Sequence, residues 1–255
     1  MNGSSIEKEF HDRLYKESLK VRRNVMSIYE VAKEARRRFY DFVKCYVQKG
    51  VNVLDYGCGT GEFSFYLAEN GARVIGIDIS EEAIQQARIK SSELGLESTV
   101  DFVVMDAMHT EFPDNSFDMV CGISILHHLD IKKAYCELAR ILKPGGSAVF
   151  LEPLGHNPLI NYFRRLTPQL RSPDEHPLLL QDINLASIYF ETVTCEYYAF
   201  FTLMAVPFVK TTLHKLLIAI GEVFDRILVR KNDFIGKFAW QVILYLRHPK
   251  KDQCT

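Results

Sequence analysis

One tryptophan, nine prolines and fourteen glycines in 255 residues leave no basis for a collagen-like, proline-rich or low-complexity chain. No sign of charge is in excess: 31 Lys and Arg stand against 32 Asp and Glu, for a net charge of -1. The six cysteines, at 45, 58, 121, 136, 195 and 254, include no pair at metal-binding spacing and form no small-domain disulfide framework. Cys58, Cys121, Cys136 and Cys195 lie in or beside apolar segments, where a free thiol acts as a small hydrophobe, which points to a reducing, cytoplasmic setting. The opening residues carry no apolar signal core. The apolar run at 197–209, 13 residues with Pro207 inside, is too short for a bilayer span, which needs about 18 or more.

What is present is a chain 47% hydrophobic and 25% charged, long enough to bury roughly 70% or more of its unfolded surface around one core. Its charge is unevenly spread. Residues 1–50 hold 12 Lys and Arg against 7 acids, whereas residues 51–150 hold 7 against 15. An acidic centre repels a phosphate backbone, so nucleic acid is excluded as a partner. The basic run Arg36-Arg37-Arg38 reads as the solvated side of a helix.

Between residues 18 and 46, apolar side chains recur every three or four positions among charges, which predicts an N-terminal helical extension within residues 1–50. Five short β-branched segments follow, at 52–56, 73–78, 100–106, 117–122 and 147–152. They are separated by stretches of helical length at 62–70, 81–95 and 131–142. Continuous apolar strands alternating with helices predict an α/β, doubly wound, Rossmann-like sheet covered on both faces, with its ligand past the carboxyl ends of the strands. Residues 51–153 form this core. The region 154–190, rich in proline and without a clear strand, reads as an inserted cap after the fifth strand. Residues 191–255 complete a seven-stranded, mostly parallel sheet with a strand at 192–202, a helix at 211–230 and a last strand at 238–247.

The run Val53-Leu54-Asp55-Tyr56-Gly57-Cys58-Gly59-Thr60-Gly61-Glu62 places three alternating glycines where the first strand turns into a helix. Glycine there permits positive φ and lets a ligand approach bare backbone N–H groups. A dinucleotide fingerprint requires a sixth-position glycine, but Glu62 stands there, and no G-K-[ST] follows, so pyrophosphate and P-loop readings fall away. Asp55 sets a carboxylate beside the glycines, repelling phosphate and welcoming an ammonium. Asp78 ends the second strand, where a carboxylate can accept from both ribose hydroxyls, and Asp106 ends the third in the same manner. Three acids at three successive strand ends indicate a nucleoside joined to an amino acid.

These residues resemble the class I S-adenosylmethionine-dependent methyltransferases, in particular the small-molecule, type 11-like group. VLDYGCGTG is similar to the family's first motif, VIGIDIS to its second-strand acidic motif, and VVMDAMHTEFPDNSFDMV to its adenine-side loop and fourth strand; ISILHHL and LARILKPGG are further similar stretches. The resemblance covers residues 51–153 and implies S-adenosyl-L-methionine as cofactor. It implies that Asp55, Gly57, Cys58, Gly59 and Gly61 surround the methionine part, with Cys58 mainly packing. Asp78 and Ile79 meet ribose and adenine, Asp106 and Ala107 face the adenine amino group, and Ile123 to His127 line the floor near the sulfonium. It further implies methyl transfer to an O, N or C nucleophile of a small biosynthetic metabolite, with a non-catalytic cofactor-binding scaffold as the alternative.

A sulfonium already carries an activated methyl, so catalysis is mainly alignment, and a base is needed only for a protonated acceptor. His127 and His128 follow the fourth strand at the crevice and are the candidate catalytic bases. The cap holds His156, Asn157, Arg164, Arg165, Arg171, Asp174, Glu175 and His176, of which His156, Arg164, Arg165 and His176 are the expected substrate contacts; sulfonium transfer needs no metal. Residues 197–209 and the apolar stretch after Lys210, His214 and Lys215 leave three readings open: core strand and helix, a greasy tunnel or peripheral membrane contact, or a dimer face. The acceptor is expected to be small, lipid-like or aromatic, and the protein a monomer or homodimer.

Overall fold

The computed structural model describes residues 7–10, 12, 29–168, 172, 175–209 and 211–253. Residues 18–28 of the expected N-terminal helix, with Arg171, Asp174, Lys210 and Cys254, lie outside the described residues. Seven strands, β1 (Asn52–Tyr56), β2 (Arg73–Asp78), β3 (Val100–Val104), β4 (Phe117–Ile123), β5 (Leu142–Pro153), β6 (Phe190–Tyr198) and β7 (Gln241–Pro249), form one sheet in the order β3-β2-β1-β4-β5-β7-β6. β1 runs parallel to both β2 and β4, while β7 is antiparallel between β5 and β6. The strand order reverses at β1 and β4, and a ligand crevice opens past the carboxyl ends of strands at such a point.

Both faces of the sheet are covered, which is why β1 and β4 are apolar almost without alternation. On one face lie α1 (Lys33–Tyr46), α2 (Glu62–Glu69) and α3 (Glu81–Leu94), contributing Phe39, Val43, Leu67 and Ile84 to a buried cluster. On the other, α4 (Ile131–Ile141) contributes Tyr135 and Leu138. Helix starts are set locally. The Ser80 hydroxyl accepts from Ala83 N–H to begin α3, and the Asp130 carboxylate accepts from Lys132 and Lys133 N–H to begin α4, caps worth about 1 kcal/mol each. α2 begins at Gly61 with no side-chain cap, so its first N–H groups are not claimed by a capping side chain.

Two departures from the sequence reading concern the covering elements. The expected cap contains α5 (Pro158–Leu166) and α6 (Leu180–Tyr189), yet α6 buries Ile183 and Ala186 in the same cluster as α4 and the sheet. It is a sheet-covering helix, and the cap expected over 154–190 is correspondingly shorter. The strand expected to reach residue 202 ends at Tyr198. Ala199 turns with φ 62°, and the chain leaves the sheet as a 3₁₀ segment at Phe201–Phe208 followed by α7 (Leu213–Phe224), a π-helical turn at Asp225–Val229 and the short α8 (Asp233–Gly236).

The cause of that exit is Asp225. Its buried carboxylate accepts from Phe201 N–H at 2.8 Å, from Phe200 N–H at 3.2 Å and from Thr202 N–H and hydroxyl at 3.4 and 3.3 Å. These donors are the unpaired N–H groups at the start of the 3₁₀ segment. The segment packs through Leu203 and Ala205 on Val31, Ala32, Ile160 and Trp240, building a second cap from residues between β6 and β7.

Candidate functional site

A cavity of about 1100 Å³ opens where the strand order reverses, and the glycine loop forms one wall. Gly57 and Gly61 both hold positive φ, 76° and 84°. A Cβ on Gly57 would stand 2.7 Å from the Ile125 side chain, and one on Gly61 would stand 2.6 Å from the Phe102 ring. The loop is held by its backbone, Gly57 and Cys58 N–H donating to Ile77 carbonyl at 2.9 and 2.8 Å. Gly59 and Cys58 line the cavity, while Gly61 sits behind it and starts α2. Cys58 is 9% exposed and packs in the cluster with Phe102, and burial pushes its thiol well up, so it is packing rather than chemistry.

The three acids all border this cavity, but with different surroundings. Asp55 is 2% exposed, and its carboxylate accepts a 2.5 Å bond from the Ser64 hydroxyl. Burial pushes it up to about 7, with the nearby Asp78 charge raising it further and Ser64 opposing. A buried carboxylate held near neutrality in an open cavity is the complement of an ammonium group. Asp78 accepts from Gly59 N–H and from Ser80 N–H, both at 2.9 Å, which fixes its orientation at the cavity. Asp106 accepts from Met108 N–H at 2.8 Å and lies with Ala107 and Met105 along one wall of the cavity, where the Tyr56 hydroxyl, donating to the Ala107 carbonyl, ties the loop to β1. Ile79 and Ile123 line the same space.

His127 and His128 stand on a 3₁₀ turn, Leu126–His128, entered through Ser124 at φ 58°. That turn is held by Glu152, a residue to which the sequence reading gave no role. Glu152 is fully buried at the end of β5; its Oε1 accepts from Ile125 and Leu126 N–H, both at 2.9 Å, and its Oε2 meets His127 Nδ1 at 2.7 Å. Among the described residues none takes His127 Nε2, and the ring lines the cavity. Burial holds His127 below the usual histidine value against the opposing pull of Glu152, so it is neutral near pH 7 and able to accept a proton. His128, 4.1 Å away between ring centroids, behaves oppositely: burial lowers it, but the 2.5 Å contact with Glu7 and further acidic charges raise it overall. An acid inside the apolar run FLEP was the one local signal for Glu152.

The expected substrate residues separate. Arg164 lines the cavity, its guanidinium donating to the Leu154 carbonyl and to Asn161. Arg165 is exposed on the far side of α5 and does not border the cavity. His156 accepts from Leu180 N–H at 3.1 Å, and His176 is largely exposed, 3.5 Å from Asp182, so both are structural joints of the 154–180 segment rather than cavity walls. Residues not anticipated take their place: Tyr29, Trp240 and Gln241 on the cap side, with Arg36 and Tyr40 from α1 near the glycine loop. The Gln241 side-chain oxygen is buried without a partner. Arg36 is exposed, as the basic run suggested, and also lines the cavity, with no carboxylate partner among the described residues.

Residues 54–150 match the family model described as a methyltransferase domain. Over this segment the chain is similar to that family. Methyltransferase GfsG of Streptomyces halstedii is 41% identical over 102 residues, covering 39% of this chain and 37% of that protein. Demethylmenaquinone methyltransferase of Listeria monocytogenes serotype 4a is 37% identical over 132 residues, covering 48% of this chain and 55% of that one. The matched stretches thus span between about a third and about half of these curated relatives. Phosphoethanolamine N-methyltransferase 2 of Haemonchus contortus, with S-adenosyl-L-methionine bound, shares the fold at a TM-score of 0.60 and 18% identity over 94% of this chain and 60% of that chain.

Asp55, Asp78, Ile79, Asp106 and Ala107, the residues expected around S-adenosylmethionine, line one cavity together with Arg36, so that carboxylates and a guanidinium are both present for a zwitterionic nucleoside. Among the described residues no His, Cys, Asp and Glu group has metal-binding geometry, and no helix is long and apolar enough to cross a membrane.

Proposed function

We propose that the protein transfers a methyl group from S-adenosylmethionine to an O, N or C nucleophile of a small, largely apolar acceptor. His127 is the base that takes the acceptor's proton, and Glu152 holds it in place. The cofactor supplies a methyl already activated on sulfur. This chain's residues have three tasks: to anchor the two ends of that molecule, to hold the acceptor in line and to exclude water.

The observation that carries the reading is the His127–Glu152 pair opening on the same cavity as the glycine loop and the three acids. Glu152 fixes the imidazole so that Nδ1 carries the hydrogen and Nε2 is left to accept. Tyr29, Phe10 and Trp240 form an aromatic cap-side wall, with Gln241 and Arg164 as polar groups within it. Such a wall suits a mainly apolar acceptor bearing one or two polar atoms. One curated relative takes its name from demethylmenaquinone, which agrees with an acceptor of this character.

Methyl transfer to a panel of phenols, quinols and isoprenoid alcohols, measured after calorimetric binding of S-adenosylhomocysteine, tests the reading. H127N is expected to lower kcat by roughly a hundredfold or more while leaving cofactor affinity within about twofold. E152Q is expected to lower kcat by about tenfold and to move the acidic limb of the pH profile further down, because it removes the charge that raises His127. A full-rate H127N enzyme, or a panel left unmethylated by a protein that binds the cofactor, would refute the assignment.

A further inference from the structure

The outer face of the second cap carries a pattern that the cofactor site does not use. Along α7 and its π-helical turn, Leu213, Leu216, Ile220, Val223, Phe224, Ile227 and Leu228 are all 41–69% exposed. Leu213, Leu216, Ile220, Val223 and Ile227 follow one another at three, four, three and four residues, with Phe224 and Leu228 alongside, which puts them on one stripe of a helix. The opposite side of the same helix is the one that packs: His214 and Gly221 are buried, and Leu217 and Ile218 join the cluster around Trp240 and Ile160. The helix is therefore apolar on two sides, one facing the protein and one facing outward. Met204 and Phe208, on the 3₁₀ segment packed against α7, are exposed as well.

The charges around the stripe are mainly basic. Over residues 211–233 the exposed ionic side chains are Lys215, Arg226, Lys231 and Asp233, the last accepting from the Tyr197 hydroxyl; Glu222 is half-buried, and Asp225 is buried under the backbone N–H groups it caps. Lys215 and Arg226 fall between the stripe and the packed side. Nearby α5, which joins the same cluster through Ile160, exposes Leu159, Tyr162 and Leu166 beside exposed Arg165. A second copy of the chain would offer its three exposed cations only one exposed carboxylate, Asp233, which already accepts from Tyr197. A surface of phosphate headgroups over acyl chains meets both the apolar stripe and the basic rim.

We propose that this cap face docks on an anionic phospholipid surface, with α7 lying in the plane of the headgroups. Residues 213–229, about 25 Å long at a helical rise, are too short to span but long enough to lie in the interface with Ile220 and Ile227 pointing inward. The other side of the cap packs around Trp240, a wall of the cofactor cavity, so docking sets that cavity beside the lipid.

Flotation of the full chain with vesicles tests this directly. Partition onto phosphatidylcholine vesicles containing phosphatidylglycerol is expected to exceed that onto phosphatidylcholine alone by at least about tenfold and to weaken with added salt. The triple variant K215E/R226E/K231E is expected to bring binding down to the phosphatidylcholine level. The variant I220D/I227D is expected to lower it by at least about tenfold on both. Binding of S-adenosylhomocysteine by calorimetry should remain as in the parent protein, which reports folding and separates this inference from the methyl-transfer reading. Equal partition of the parent protein onto both vesicle types, or none, would overturn the proposal. So would light scattering that shows a dimer dissolved by I220D/I227D.

Discussion

Two buried aspartates, one in the cofactor cavity and one in the cap, show how the same side chain is put to opposite uses. Asp225 is 4% exposed and surrounded by donors, three backbone N–H groups and a hydroxyl. Asp55 is 2% exposed with one hydroxyl donor, and it borders an open cavity. Burial raises both, but Asp225 already has its compensation within the fold, whereas Asp55 must receive it from outside. A satisfied buried charge organises chain; an unsatisfied one beside a cavity waits for a ligand.

The largest effect that would sharpen this contrast is expected at Asp225. Asp225→Ala strands the N–H groups of Phe200, Phe201 and Thr202, and is expected to cost about 3 kcal/mol or more of stability, read as a fall in the urea midpoint. Asp55→Asn is expected to do the reverse: affinity for S-adenosylhomocysteine drops by about a hundredfold in calorimetry, while the ligand-free protein melts no lower than its parent. A loss of stability at Asp55 as large as that at Asp225 would break the comparison.

The pH dependence follows from the same difference. Asp55 has a folded value of about 7 against 3.8 for the free side chain. Its contribution to the stability of the ligand-free protein is therefore full below 3.8 and is lost as the pH rises through about 7. Cofactor binding supplies the missing positive charge, so affinity is expected to weaken as the pH falls below about 7, and D55N is expected to abolish that slope. The smallest effect is expected at Ser64→Ala. It removes the single hydroxyl donor, shifts the affinity slope upward in pH and weakens cofactor binding by several-fold; an unmoved slope would detach Ser64 from Asp55.

Much of the cavity wall could be read in the chain because it is local. The glycine loop, Asp55, Asp78 and Asp106 each sit at the end of a short apolar segment, and a strand that ends at the crevice delivers its last residue there whatever covers the sheet. Glu152 was not legible in this way. Its task is to hold a turn about 25 residues earlier in sequence, and only the pairing of β4 with β5 brings the two together. His156 and His176 misled for the converse reason. Polar residues in a loop after a strand resemble cavity walls until the backbone shows them bonded to α6 and its surroundings.

By itself the sequence determined the α/β alternation and the residues at the strand tips, because hydrophobic period, glycine and the residue at a strand end act over a few neighbouring positions. Only the tertiary structure decided where the apolar end of the chain goes. Residues 197–229 have the composition of a core strand and helix, and what turns them into a cap is a contact between Asp225 and the backbone more than 20 residues earlier. Burial is a property of the assembled fold, so the same leucines and isoleucines read alike whether they face the sheet or the outside.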